Sequence, residues 1–168
     1  MRGKFEGRLR YTLAMRIVLT LLVGALAAWS APDFSGTWKA NVPKSTFGPF
    51  PSPDKYTRVI DHKEPTIKIE EAQVSERGEW TAIMNLATDG KETKSEIRGN
   101  ELKSVSKWDG DVLVVKSKLN FNGTEVELND RITLSEDKKT MTLQRKIDAP
   151  QGTMEQSVVF ERQEAATK

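Results

Sequence analysis

Three polar residues on otherwise apolar faces carry most of the chemistry this chain offers: Asp130, Arg145 and Gln156. Each sits in a segment where oily and wet residues alternate, the period of a half-buried strand. After Asn122-Gly123, Val126, Leu128, Ile132 and Leu134 share one face, and Glu125, Glu127, Asn129 and Arg131 share the other; Asp130 falls with the oily set. The next segment groups Met141, Leu143 and Ile147 with Arg145, and the last groups Met154, Val158 and Phe160 with Gln156. Turns decide which residues face each other. Pairing Phe121 with Thr124 sets Val115 opposite Asp130, pairing Leu134 with Met141 sets Asp130 opposite Arg145, and pairing Asp148 with Thr153 sets Arg145 opposite Gln156. Opposed residues on one face have Cβ atoms roughly 5 Å apart, so carboxylate and guanidinium can meet in a bidentate contact. Two readings follow. Arg145 and Gln156 hold a carboxylate or other acceptor of a ligand, or Asp130 and Arg145 form a closed internal brace. An isolated interior charge costs several kcal/mol, so both readings need the partner.

The same turn arithmetic sets Ser104 opposite Val115, through Trp108 against Asp111, and Ser95 opposite Ser104, through Arg98 against Glu101. Ser95, Ser104, Ser106 and Ser117 then cluster on the oily face, where a packed core would carry Val or Ile. Small hydroxyl residues leave volume unfilled and offer hydrogen bonds, as a wet cavity requires. Trp80 and Met84 supply apolar lining, while Phe47 and Phe50 close one end as a lid or as a plug. The expected ligand site is therefore Asp130, Arg145, Gln156, Ser95, Ser104, Ser117, Trp80 and Met84. Catalytic constellations are missing. With His62 as the sole histidine and no cysteine, the chain offers no nucleophile–base pair beyond an unsupported Ser–His62, and no metal cluster. No enzyme activity, cofactor or metal is expected.

Turn signals recur about every eight to twelve residues, the rhythm of an all-β sandwich or barrel. Asp89-Gly90, Gly99-Asn100, Asp109-Gly110 and Asn122-Gly123 suit two-residue hairpin turns. Ten strands are predicted, over 37–42, 55–62, 66–73, 79–88, 91–98, 101–108, 111–121, 124–134, 140–148 and 153–162. Every turn in the last six strands sets oily face against oily face, which points to one continuous meander closed into a single up-and-down antiparallel β-barrel. Lipid does not surround it, because an outer-membrane barrel has the opposite polarity.

Ahead of the strands, Arg2, Lys4, Arg8, Arg10 and Arg16 precede an apolar run over 17–28, with Ala25-Leu26-Ala27 as small residues for a signal peptidase. Residues 1–27 thus read as an export signal, with Met15 as a second possible start, and 28–168 as the barrel domain. Removing the signal leaves 21 basic against 23 acidic side chains, a charge of −2 rather than +2. No basic patch remains for nucleic acid, and no membrane insertion is expected after cleavage. A chain without cysteine takes its stability from burial and strand pairing rather than disulfides.

Asp33-Phe34-Ser35-Gly36-Thr37-Trp38 opens the domain, and Gly36-x-Trp38 on the first strand resembles the start of a lipocalin. The resemblance implies an up-and-down barrel with a hydrophobic interior, and a Trp packed against an Arg of the last strand, here Trp38 and Arg162. With Lys107–Asp111, the chain is also similar to lipocalin-like (calycin superfamily) exported bacterial proteins. Ten strands lean towards the fatty-acid-binding branch, whose helical pair after the first strand the proline-rich 43–54 segment cannot form. The expected function is an exported, periplasmic or secreted barrel that binds a small hydrophobic or amphipathic ligand inside. The alternative is a non-enzymatic envelope domain with a filled core, binding another protein through its surface or open end.

Overall fold

In the computed structural model, residues 30–121 and 123–164 are described, so the expected export signal over 1–27 lies outside them. Ten antiparallel strands close on themselves: β1 (Gly36–Ala40), β2 (Lys55–Lys63), β3 (Thr66–Ser75), β4 (Gly78–Ala87), β5 (Asp89–Ile97), β6 (Asn100–Asp109), β7 (Val112–Phe121), β8 (Thr124–Leu134), β9 (Thr140–Ala149) and β10 (Gly152–Gln163). Each strand pairs with its sequence neighbours, and β1 closes the ring against β10. This is the all-β barrel expected from the turn rhythm. The oily parity faces inward throughout, burying among others Ile69, Leu102, Val115, Ile132, Leu143 and Val158. Among the described residues, no helix is long and apolar enough to cross a membrane.

Closure is uneven around the ring. β1 has five residues and β10 has twelve, so most of the β10 edge needs another partner. The segment after β1 supplies it. After a short 3-10 turn at Val42–Lys44, Thr46 exchanges backbone hydrogen bonds with Ser157 at 2.7 and 2.9 Å, and the Ser45 hydroxyl accepts from the Val159 amide at 3.0 Å. An edge that would otherwise stand open is thereby covered. Packed along β10, the segment buries Phe47 and leaves Phe50 exposed beside the open end.

Register in β7–β10 matches the sequence reading at each predicted pair: Val115 with Asp130, Asp130 with Arg145, Arg145 with Gln156. Two hairpins turn elsewhere than expected. The loop between β5 and β6 is Arg98-Gly99 rather than Gly99-Asn100, with φ of 52° and 77° at its two positions. Positive φ at both is what a type I′ turn demands. Between β6 and β7 the loop is Gly110-Asp111 rather than Asp109-Gly110, and Gly110, at φ 58°, takes the first position of a type II′ turn. Each correction moves the register by two residues, which changes partners but keeps faces. Ser104 therefore opposes Ser117 instead of Val115, and Ser95 opposes Leu102 instead of Ser104.

The Asp89-Gly90 turn is a third difference. Both residues belong to β5, where the Asp89 carboxylate accepts from the Lys91 amide at 3.1 Å and the register slips before Glu92. β5 consequently diverges from β4, and the two strands share one paired position, Ile83 with Glu96. The meander is continuous in order but thin at this seam.

Candidate ligand-binding site

Tyr56, Arg58 and Ile60 alternate inward along β2, and Ile67, Ile69 and Glu71 along β3. The β2–β3 turn pairs Lys63 with Thr66, which puts Arg58 directly across from Glu71. Their side chains meet at 2.6 Å with almost no exposure, 1% and 4%. Arg58 also donates to the Tyr56 hydroxyl at 2.9 Å, and its guanidinium lies 5.1 Å from the centre of the Phe160 ring. Burial is the strongest single influence and opposes the Arg58 charge, but Glu71, with smaller contributions from other neighbours including Asp130, outweighs it and holds the guanidinium above its ordinary pKa. Burial also raises the Tyr56 phenol, which keeps its proton. This buried ion pair is absent from the sequence reading. The signal was available: the same parity rule applied across Glu64-Pro65 predicts it.

On the other wall, Arg145 grips Asp130 bidentately, Nε at 2.7 Å and Nη2 at 2.6 Å from the two carboxylate oxygens. Here too burial works against the charge, and Asp130 outweighs it, raising the Arg145 pKa. This pair is less sealed than the first, its side chains being 18% and 10% exposed. Three hollows border the pair: one of about 570 Å³ also reaches Thr46, Lys116 and Gln156, and the other two share lining with each other. The inner one, about 200 Å³, is lined by both ion pairs together with Trp80, Met84, Ser104 and Ser117. The second, about 620 Å³, lies under Phe47, Phe50 and Pro51 and is lined by Tyr56, Leu143 and Gln156. Glu71, Trp80 and Arg145 line both, so the hollows meet there.

The corrected β6–β7 register explains the floor chemistry. Ser104 and Ser117 hydroxyls lie 2.8 Å apart and satisfy each other, and Ser106 donates to the Ala87 carbonyl at 2.9 Å. Gln156 donates to the Phe47 carbonyl at 3.3 Å, tying the covering segment to β10. Of the expected site residues, Asp130, Arg145, Ser104, Ser117, Trp80 and Met84 surround the inner hollow and Gln156 the outer one. Ser95 is elsewhere: its hydroxyl accepts from the Asn85 amide at 2.9 Å across the β4–β5 seam.

The opposite end is shut. The Trp38 indole donates to the Phe34 carbonyl at 2.9 Å, and the Arg162 guanidinium lies 4.3 Å from the centre of the Trp38 ring. Arg162 also donates to the Lys138 carbonyl at 2.8 Å and to the Ser35 carbonyl. A Cβ on Gly36 would stand 2.8 Å from that guanidinium, and its φ of +129° is one that L side chains rarely adopt. Glycine at position 36 thus suits the closure chiefly through its backbone conformation. Beside it, His62 accepts the Phe34 amide at 3.2 Å through Nδ1, so Nε2 carries the proton given to Glu64 at 2.9 Å. Trp108 donates to the same Glu64 oxygen at 2.9 Å, and the Thr88 hydroxyl to the other.

No family model matches this chain, and no curated protein does. Solved structures do. An abundant heat soluble (SAHS) protein of Ramazzottius varieornatus superposes with a TM-score of 0.57 at 10% identity, over 80% of this chain and 98% of its own. The zebrafish ileal bile-acid-binding protein, complexed with cholic acid, gives 0.52 at 16% identity, over 77% and 98%. Fatty-acid-binding protein 1 of Echinococcus granulosus gives 0.51 at 15%, over 77% and 96%. The chain shares its closed antiparallel barrel with these structures. At these identities the likeness is one of fold.

Proposed function

We propose that this protein is an exported, non-enzymatic carrier that holds a small hydrophobic or amphipathic molecule inside its barrel. Residues 1–27 act as the export signal, and the barrel works in the periplasm or outside the cell. The carrying observation is the joined pair of hollows at Arg145, Trp80 and Glu71. The larger, at about 620 Å³, falls within the ~300–1,000 Å³ typical of small-molecule sites. Asp130, Arg145, Gln156, Ser104, Ser117, Trp80 and Met84 line the path such a molecule takes. Names among the similar folds support the same reading, since bile-acid and fatty-acid binders appear there.

Native mass spectrometry of the purified protein, followed by organic extraction, tests the proposal. A recurring small amphiphile released by extraction is the expected result. A bare chain that also fails to take up added amphiphiles overturns it.

A further inference from the structure

The charged groups around the inner hollow are Arg58, Glu71, Asp130 and Arg145, two of each sign, and each is committed to a partner at 2.6 Å. Tyr56, which touches this set through Arg58, stays an uncharged phenol. Among the described residues, no buried side-chain nitrogen or oxygen lacks a hydrogen-bond partner. The interior is therefore electrically closed before any ligand enters. A carboxylate arriving at Arg145 would add a net negative charge beside Asp130 and Glu71, in a site where charges are poorly screened. A neutral oxygen imposes no such penalty. It needs one N–H from a guanidinium whose five donors are not exhausted by the two bonds to Asp130. Gln156, whose Nε2 is given to Phe47, keeps a carbonyl oxygen for a hydroxyl donor. Rim residues Arg77, Glu79 and Arg98 also line the outer hollow, but all three are exposed, where water screens them.

We infer that the interior selects an apolar molecule with an uncharged polar head, such as an alcohol or an ester of glycerol, and discriminates against the matching free carboxylate. The inference rests on the carrier reading and adds the head-group class to it. The preference is a consequence of Asp130, which occupies the guanidinium that a carboxylate would otherwise claim.

Titrating delipidated protein with dodecanol, monododecanoylglycerol and dodecanoic acid, read by tryptophan fluorescence and native mass spectrometry, tests this. The two neutral compounds should bind roughly tenfold or more tighter than the acid at mildly alkaline pH. Binding of the acid should strengthen as falling pH protonates it. Asp130→Asn, checked for fold by circular dichroism, should raise affinity for the acid about tenfold and so narrow its gap from the alcohol. Wild-type protein that binds the acid as tightly as the alcohol overturns the inference while leaving the carrier reading intact. A folded Asp130→Asn with an unchanged gap between acid and alcohol overturns it as well. Failure of all three compounds to bind removes the carrier reading and the inference together.

Discussion

The barrel's two ends solve burial in opposite ways. At the shut end, aromatic rings do the filling: Phe34 and Trp108 stack with centres 5.8 Å apart, and Trp38 is fully buried under Arg162. The polar atoms there are spent locally, the Trp38 indole and the Arg162 guanidinium on backbone carbonyls and the Trp108 indole on the Glu64 carboxylate. Towards the mouth, ion pairs span the walls and space remains between them. Rings packed against rings yield stability and no room. Charges locked in pairs along the walls of a hollow yield room and a fixed electrostatic pattern. The contrast separates residues that hold the barrel shut from residues that leave space inside it.

The largest effect should come from the shut end. Trp38→Ala is expected to cost roughly 4 kcal/mol in urea unfolding, through the cavity it leaves and the lost contact with Arg162. Were the loss below about 1 kcal/mol, aromatic filling would not be what holds that end. Next, Glu71→Gln strands a buried guanidinium and should cost roughly 3 kcal/mol, whereas Arg58→Met combined with Glu71→Leu should recover most of it. A double variant no more stable than the single one would mean that the pair contributes more than mutual neutralisation. The smallest effect concerns acid. Burial tends to raise the Glu64 pKa, but hydrogen bonds from Thr88, His62 and Trp108 outweigh it and hold the folded value below the ordinary 4.5. Its stabilisation is complete above the unfolded value and fades as pH falls through the folded one. Glu64→Gln should therefore lower stability modestly at neutral pH and converge with wild type below about pH 4.5, which flattens the acid limb of the stability profile. An unaltered acid limb would remove Glu64 from that role.

Much of this was legible from alternation alone. Ten strands, inward parity and the meeting of Asp130, Arg145 and Gln156 follow from period-two patterning with turns as punctuation. Two hairpin loops were misplaced because an Asp-Gly or Gly-Asn pair signals that a turn is near, not which residues take positive φ. Arg98 adopting φ 52° ahead of Gly99 is such a case. The Arg58–Glu71 pair was missed for a different reason. In Tyr-x-Arg-x-Ile and Ile-x-Ile-x-Glu, a buried charge looks like an ordinary wet position unless both strands are placed in register. The hollows were legible only in part: Ser104, Ser117, Trp80 and Met84 do line the inner one, but its size and shape depend on how far side chains reach and not on their order.

The seam between β4 and β5 has a mechanical meaning. A cylinder joined by longer ladders at its other seams yields first where one paired position and one serine hydroxyl bridge the gap. Deformation concentrated there can widen the bore without disturbing either ion pair or the stacked rings. The wall would then flex like a garment fastened by a single button.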